Sequence, residues 1–232
     1  MYVACAVTDV AAAVAGLDAL GALGANVTVP HKRAVWELVQ RRTPEAELIG
    51  AANTLFRDGG RWVADNTDAV GLRRVLVDDV GLQAGDAVVV YVAGGAARAA
   101  AVALGRLGAR VRFEARRAEQ AAAVGRLAAG AGAEPLDDAA TPHLVVNATP
   151  LGLHGEDLPA RLRTLSADQV ALDLVYGRRP TPFVRAARSQ GARAWDGLGM
   201  LIAQAAASFE RWTGVPAPVP AMSAAVDALV RT

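Results

Sequence analysis

Short β-branched runs alternate with longer alanine- and leucine-rich segments through the second half of the chain. Residues 88–92 (Val-Val-Val-Tyr-Val) form a continuous apolar run, which is typical of a strand buried on both faces of a parallel sheet. This alternation of strand and helix predicts a doubly wound α/β sheet with right-handed crossovers. Beyond residues 88–92, strands are predicted at 111–113, 144–146 and 170–172, and helices at about 96–107 and 118–127.

The first eighty residues show a different pattern, which predicts a smaller α/β domain. Turn residues at 57–61 (Arg-Asp-Gly-Gly-Arg) separate two apolar segments, 54–56 and 62–64, and predict a hairpin. Pro30 is expected in the first turn of a helix, where its missing N–H does little harm. Further elements predicted here are a strand at 2–7, a helix at 10–20, a second strand at 26–29, and a helix whose apolar face is Ala34, Val35, Leu38 and Val39.

Two domains are therefore expected, one formed by residues 1–77 with 199–232 and the other by residues 78–198. Residues 81–86 read as the linker between them. The last two helices, predicted at 200–212 and 222–230, are expected to fold back onto the first domain. A catalytic cleft would then form between the domains, as is common in such proteins.

Charge and cysteine content exclude several classes of protein. Lys plus Arg number 24 and Asp plus Glu 23, so no general attraction to nucleic acid is expected. Cys5 is the one cysteine, which excludes an internal disulfide framework and a multi-cysteine metal site. The three histidines show no metal-ligand spacing: His31, His143 and His154. We find neither a targeting segment nor a membrane span, and we expect a cytoplasmic protein.

A glycine-rich turn and an arginine pair indicate a nucleotide site. Residues 92–97 (Val-Ala-Gly-Gly-Ala-Ala) follow the buried strand, where glycines let the backbone approach a pyrophosphate at a helix N-terminus. Arg116 and Arg117 follow the next strand and would suit a 2′-phosphate, which favours NADP over NAD. Alternatively, the turn is a tight strand-to-helix connection without a ligand, and the arginines form a solvated helix start near Glu114.

Lys32 and Asp68 are candidates for acid/base chemistry. Lys32 stands at a helix start just after Pro30, and Asp68 stands at a loop-to-helix junction. A Lys–Asp pair can bind a hydroxyl group and move its proton while a hydride leaves the same carbon. Taken alone, each has a plain alternative, a solvated lysine and a helix N-cap.

The motifs containing these residues occur together in a known order. The chain resembles the shikimate dehydrogenase family, and the likeness covers nearly its whole length. Four longer motifs carry it, at residues 26–32 (Asn-Val-Thr-Val-Pro-His-Lys), 50–55 (Gly-Ala-Ala-Asn-Thr-Leu), 66–72 (Asn-Thr-Asp-Ala-Val-Gly-Leu) and 196–201 (Asp-Gly-Leu-Gly-Met-Leu). Shorter similarities occur at 93–96, 147–150 and 204–206.

This resemblance implies a small substrate domain, a Rossmann-like NADP-binding domain, and the reversible reduction of 3-dehydroshikimate in chorismate and aromatic amino-acid biosynthesis. It makes Lys32 the general acid/base and Asp68 its partner at the substrate hydroxyl. The implied substrate residues are Thr28, Asn53, Tyr176 and Gln204. The implied cofactor residues are Gly94, Gly95 and Ala96 at the pyrophosphate, Arg116 and Arg117 at the 2′-phosphate, Thr149 and Leu174, and Gly197 near the nicotinamide. For Asn53 the alternative is loop bonding. For Tyr176 and Gln204 it is simple packing or helix-surface polarity.

Three departures from the family pattern leave alternatives open. Val92 replaces the first glycine of the nucleotide turn, and Ala115 replaces an asparagine before the arginine. The family's first strand and helix, about forty residues with a Ser-x-Ser pair for the substrate carboxylate, have no counterpart, so an open strand edge is expected. The chain is then a shortened or misassigned form of a normal enzyme, a paralogue acting on another ring hydroxy acid such as quinate, or a non-catalytic NADP-binding relative. A monomer and a homodimer are both compatible with it.

Overall fold

The computed structural model describes residues 1–153, 156 and 158–230, and their contacts form two compact units. Unit 1 comprises Met1–Thr67 and Ser208–Pro216, and unit 2 comprises Asp68–Ala207 and the chain from Ala217. The predicted domain boundaries, at 77/78 and 198/199, stay a prediction. In the structure the first helix after Thr67 packs on the helix that follows the glycine turn, so the contacts of unit 2 begin earlier.

Unit 1 is built on a four-stranded mixed sheet. Its strands are β1 (Gly24–Asn26), β2 (Arg41–Arg42), β3 (Thr54–Asp58) and β4 (Arg61–Asp65), in the order β1-β3-β4-β2. The predicted hairpin is confirmed as β3 and β4, and Gly59 and Gly60 form its turn with positive φ angles of 58° and 76°. Both angles lie in the left-handed region that glycine adopts without strain.

Three helices accompany the sheet of unit 1: α1 (Val10–Ala19), α2 (Lys32–Leu38) and α3 (Pro44–Ile49). The small core beneath them contains Val35, Val39, Ala52, Leu55 and Ala64. Val35 on α2 and Val39, which directly follows the helix, are buried as predicted, whereas Ala34 and Leu38 are exposed. The turn before α2 carries the hydrogen bond from the His31 N–H to the Thr28 carbonyl.

The strand predicted at residues 2–7 is wrong. Tyr2 and Val3 are 72% and 64% exposed, and no strand of the described sheets pairs with this segment. A β-branched run becomes a strand only where a neighbour supplies hydrogen bonds, and β1 pairs with β3 alone among the described strands. The strand predicted at 26–29 also shifts, because β1 ends at Asn26 and the following residues turn toward α2.

Unit 2 is built on a six-stranded parallel sheet, which confirms the doubly wound α/β prediction. The strand order is β10-β9-β8-β5-β6-β7, so the order reverses on either side of β5. Apolar clusters fill both faces of this sheet. The strands are β5 (Ala87–Val92), β6 (Arg110–Glu114), β7 (Glu134–Pro135), β8 (Leu144–Ala148), β9 (Val170–Asp173) and β10 (Arg193–Trp195).

The helices of unit 2 begin with α4 (Asp68–Arg74), which continues as a π-helical segment, Val75–Val80. The predicted helices at 96–107, 118–127, 200–212 and 222–230 are confirmed with small shifts of their ends. Sequence periodicity missed α3, the helices Ala160–Arg163 and Pro182–Ser189, and the short strands β2, β7 and β10. The remaining helices are α5 (Gly95–Arg106), α6 (Ala118–Gly130), α7 (Ala160–Arg163), α8 (Pro182–Ser189), α9 (Leu198–Thr213) and α10 (Val219–Val230).

Gly105 permits the close approach of α5 and α6. A Cβ added at Gly105 would lie 2.6 Å from the Ala128 carbonyl oxygen and 2.7 Å from the Ala131 Cβ. Gly125, on α6, has an ordinary surrounding, because an added Cβ would lie 3.8 Å from Phe113 and meet no closer atom. The two helical glycines therefore differ in what surrounds them.

We expect Gly105→Ala to lower the free energy of unfolding by about 1–3 kcal/mol, because the added methyl forces α5 and α6 apart. The control, Gly125→Ala, is expected to raise it by up to about 1 kcal/mol, since alanine is the better helix former. Urea unfolding of the two variants measures both effects. Equal stabilisation by both substitutions would contradict the close packing at Gly105.

Candidate active site

In unit 1, backbone hydrogen bonds bring together three of the predicted site residues. The Ala52 N–H donates to the Lys32 carbonyl at 2.9 Å, and the Val27 N–H donates to the Asn53 carbonyl at 2.7 Å. These bonds place the start of α2 and the residue before Thr28 next to the start of β3. Thr28 is exposed and Lys32 partly exposed, whereas Asn53 is buried.

Asn53 holds the loop that leads to Asp68. Its side-chain oxygen accepts the Thr67 N–H at 2.8 Å, and its amide nitrogen donates to Thr67 Oγ1 at 3.0 Å. Thr67 directly precedes Asp68, which is the first residue of α4 and is buried. The loop-bonding role considered for Asn53 is thus present in the structure, beside its predicted substrate role.

The sequence did not reveal a buried hydroxyl cluster below this loop. Ser208 Oγ lies 2.8 Å from Thr54 Oγ1 and 3.2 Å from Thr67 Oγ1, and it accepts Asn26 Nδ2 at 3.0 Å. Ser208 is fully buried on an otherwise apolar part of α9. A single serine among alanines was the one available signal, and its partners are up to 182 residues away.

A second missed residue is Asp65, a buried carboxylate next to the Asn-Thr-Asp motif. It accepts Thr43 Oγ1 at 2.5 Å, Arg211 Nε at 2.9 Å and the Asn66 N–H at 2.8 Å. An ionised carboxylate gains most from charged and hydrogen-bonded partners when it is buried. Asp65 therefore fixes the entry to the loop from its other side.

Two predicted substrate residues, Tyr176 and Gln204, belong to unit 2. Tyr176 follows β9 and is 44% exposed. Gln204 lies on α9, where the helix passes close to α4. A Cβ added at Gly71 would lie 2.9 Å from the backbone nitrogen of Gln204 and 3.0 Å from the Met200 carbonyl oxygen. Gly71 lies three residues after Asp68, so its lack of a side chain lets the helices of Asp68 and Gln204 touch.

The glycine turn after β5 has the geometry that a pyrophosphate site requires. Gly94 has φ 85° and ψ −159°, and Gly95 begins α5, whose first turn has no side-chain cap. A Cβ added at Gly94 or Gly95 would meet no atom within 4 Å, so the backbone faces open space. Ala96 follows in the same turn. The start of a long helix without a side-chain cap fits a phosphate group.

The arginine pair after β6 is exposed, and the nearby acid is engaged elsewhere. Arg112 Nε and Arg161 Nη1 each lie 3.4 Å from an oxygen of Glu114. Within residues 1–153, 156 and 158–230, neither Arg116 nor Arg117 forms an ion pair. Glu114 is thus paired with two other arginines, and the exposed pair Arg116 and Arg117 fits a 2′-phosphate.

Gly197 and Leu174 form the tightest contact near the predicted nicotinamide position. A Cβ added at Gly197 would lie 2.5 Å from the Leu174 carbonyl oxygen and 3.1 Å from Tyr176 Cδ1. The Gly197 N–H donates to the Val175 carbonyl at 3.1 Å. Any other residue at position 197 would displace this loop. The structure thus brings three of the predicted residues, Leu174, Tyr176 and Gly197, into contact.

A buried carboxyl group, Asp173, lies at the end of β9. It accepts Thr181 Oγ1 at 2.6 Å, Asn147 Nδ2 at 2.8 Å and the Val175 N–H at 3.0 Å. Burial raises the pKa of Asp173 to about 6, and the charge of Asp196 adds to the shift, while the three hydrogen bonds oppose it. No sequence pattern indicated this cluster, because it depends on which strands are neighbours.

The structure also bears on metals and membranes. In the described part of the chain no three His, Cys, Asp or Glu side chains are grouped as metal ligands. Of the histidines considered from the sequence, His154 lies outside the described residues. No helix among the described residues is both long and apolar enough to cross a bilayer.

Comparison with known proteins identifies the family. The family model of the shikimate dehydrogenase substrate binding domain matches residues 1–55, and that of the shikimate 5′-dehydrogenase C-terminal domain matches residues 197–226. The NADP(+) shikimate dehydrogenase of Anaeromyxobacter sp. strain Fw109-5 is 46% identical over 94% of this chain and 81% of its own length. The chain belongs to the shikimate dehydrogenase family.

Solved structures of this family show the same fold. The enzyme of Thermus thermophilus, in complex with NADP(H) and shikimate, is 34% identical with a TM-score of 0.82, over 97% of this chain and 85% of that one. A quinate dehydrogenase from Corynebacterium glutamicum, in complex with NAD, is 29% identical with a TM-score of 0.84, over 95% and 83%. The chain spans about four fifths of the length of these relatives.

The pKa of Asp173 gives a pH dependence of stability. Between its ordinary value of 3.8 and about 6, the folded protein binds a proton that the unfolded chain does not. The contribution of Asp173 to the free energy of unfolding therefore falls as the pH rises through this window, and the burial penalty is fully present above about pH 6.

We compare the free energy of unfolding of the unmodified protein with that of Asp173→Asn. The difference, unmodified protein minus variant, is expected to fall by on the order of 3 kcal/mol between about pH 4 and about pH 7. Urea unfolding at several pH values measures it. Asp168→Asn, which changes an exposed carboxylate before the same strand, is the control and should give a flat difference. A flat difference for Asp173→Asn as well would contradict the raised pKa.

Proposed function

We propose that this protein catalyses the reversible, NADP-dependent reduction of 3-dehydroshikimate to shikimate. The observation that carries the proposal is the 46% identity with an NADP(+) shikimate dehydrogenase over nearly the whole chain. The neighbour of known structure in complex with NADP(H) and shikimate supports the same ligands. The open glycine turn and the exposed arginine pair of unit 2 fit this cofactor.

Lys32 is the proposed general acid/base. When bound, NADPH supplies a hydride to the ring carbonyl carbon. The ammonium group of Lys32 donates a proton to the carbonyl oxygen as that oxygen becomes a hydroxyl, and in the oxidation direction Lys32 takes the proton back. Asp68 accepts a hydrogen bond from the same hydroxyl and keeps it oriented toward the lysine.

The remaining residues hold the ligands. Thr28, Asn53, Tyr176 and Gln204 are proposed to bind the substrate hydroxyl and carboxylate groups. Gly94, Gly95 and Ala96 bind the pyrophosphate through backbone N–H groups, while Arg116 and Arg117 bind the 2′-phosphate. Thr149, Leu174 and Gly197 surround the nicotinamide. Backbone donors and a buried asparagine suit such positioning, because they lose little freedom on binding.

Location and assembly remain predictions. A cytoplasmic enzyme is proposed on the presence of one cysteine and on the biosynthetic reaction, which draws on the NADPH pool. The proposed assembly is a monomer or a homodimer. No role for nucleic acid or a membrane enters the proposal.

Lys32→Ala is expected to lower the turnover number for shikimate oxidation by about 10²–10⁴-fold, since a positioned acid/base contributes that much. The absorbance of the reduced nicotinamide measures the rate, with quinate as a second substrate. The control is Arg33→Ala, which removes an exposed cation whose partner is Glu37 and should leave the rate near that of the unmodified protein. An unchanged rate in folded Lys32→Ala protein would remove Lys32 from the mechanism.

NADP binding by an unmodified protein that turns over neither substrate would favour a binding protein instead.

Arg116→Ala is expected to weaken NADP binding by about 10–100-fold and to leave NAD binding nearly unchanged, because only NADP carries the 2′-phosphate. Calorimetric titration with both nucleotides measures the two affinities. Arg126→Ala, an exposed arginine on α6, is the matched control and should alter neither. Equal losses for NADP and NAD would mean that Arg116 supports the fold rather than the phosphate.

A further inference from the structure

The cluster around Asp173 connects three separate segments of unit 2. Asp173 ends β9, Asn147 stands near the end of the adjacent strand β8, and Thr181 caps the start of α8. Asp173 Oδ1 accepts Asn147 Nδ2 and the Val175 N–H, while Oδ2 accepts the Thr181 hydroxyl. Asn147, Asp173 and Thr181 are all buried. The carboxylate therefore fixes two loops and a helix relative to one another.

Asn147 extends the cluster to the loop after β8. Its side-chain oxygen accepts the Thr149 hydroxyl at 2.6 Å and the Thr149 N–H at 3.1 Å, and its amide nitrogen also donates to the Leu151 carbonyl at 3.1 Å. Thr149 Oγ1 in turn accepts the Leu151 N–H at 3.2 Å. The orientation of the Asn147 amide is set by Asp173, because only its nitrogen can donate to the carboxylate.

On the β9 side, the cluster determines where Leu174 lies. The Leu174 N–H donates to the Asn147 carbonyl at 2.9 Å, and the Val175 N–H donates to Asp173. The Leu174 carbonyl is the group against which Gly197 packs so closely that no side chain fits at position 197. A small movement of Asp173 would therefore reach Leu174, Thr149 and Gly197 together.

Resting on the proposed function, we infer that Asp173 is a positioning residue for the nicotinamide end of the NADP site. Of the three residues proposed to surround the nicotinamide, Thr149 and Leu174 hydrogen-bond to Asn147, a partner of Asp173. Gly197 packs on the loop that Asp173 holds. The residues proposed for the adenosine end, in the turn after β5 and at the end of β6, are absent from its hydrogen-bonding partners. The acceptor capacity of the carboxylate is directed at protein groups, which agrees with an indirect role.

Connecting two loops through a buried carboxylate costs desolvation free energy, because the ionised group loses its hydration. A hydrophobic contact would hold the fold without that penalty. What the carboxylate adds is direction, since three donors on different segments must meet two oxygen atoms in fixed geometry. Fixed geometry at a loop that contacts the reacting end of a cofactor is what hydride transfer requires.

The test compares NADP with adenosine 2′,5′-bisphosphate, which carries the 2′-phosphate but lacks the nicotinamide. For Asp173→Asn we expect the calorimetric Kd of NADP to rise about tenfold and that of the bisphosphate to change by less than about twofold. Thr181→Val removes one donor to the carboxylate and should act in the same direction. The control is Asp168→Asn, which changes an exposed carboxylate just before the start of β9, and it should change neither Kd.

Three outcomes would overturn the inference. Unchanged affinity for both ligands in Asp173→Asn and in Thr181→Val would show that the cluster serves only the fold. Equal weakening of both ligands would show that it supports unit 2 as a whole. Failure of the unmodified protein to bind either ligand would overturn the proposed function and this inference with it. Should Asp173→Asn not fold, Thr181→Val decides between the first two outcomes.

Discussion

The parallel sheet of unit 2 imposes one constraint on which the candidate cofactor site depends. All of its strands end at the same edge, so the polar groups of several loops meet there and each needs a partner. At β5 the start of α5 has no side-chain cap, and a Cβ added at Gly94 or Gly95 would meet no atom within 4 Å. At β8 and β9 the neighbouring polar groups are instead satisfied internally by Asn147 and Asp173. One edge thus contains the region proposed for the phosphate groups and the internally hydrogen-bonded region proposed for the nicotinamide.

Unit 1 meets a similar requirement mainly with neutral groups. Its loop before Asp68 is held by the amide of Asn53 and by the hydroxyl groups of Thr54, Thr67 and Ser208. Hydroxyl groups both donate and accept, so such a cluster satisfies its members without a net charge. A buried neutral cluster therefore holds the loop without the desolvation penalty of an ionised group.

The sequence predicted those parts of the molecule that depend on local pattern. The buried strand β5, the glycine turn after it and the hairpin of unit 1 all follow from residues close together in the chain. The short helices α3 and α8 carried a local signal that periodicity does not use: each starts with a Thr-Pro pair, with threonine as the N-cap and proline in the first turn. The strand predicted at 2–7 failed because strand formation depends on a neighbour. The Asp173 and Ser208 clusters join residues from distant segments, which no local pattern reveals.

The contact between Gly197 and the Leu174 carbonyl has a consequence for how such an enzyme can evolve or be redesigned. Every amino acid other than glycine would place a Cβ much too close to that oxygen, so substitutions at position 197 are excluded by packing. The exposed arginines at 116 and 117 are free of such packing and can be exchanged one at a time. Adaptation to a different nucleotide is therefore expected at the residues proposed for the 2′-phosphate, while Gly197, proposed for the nicotinamide end, is held constant by its packing.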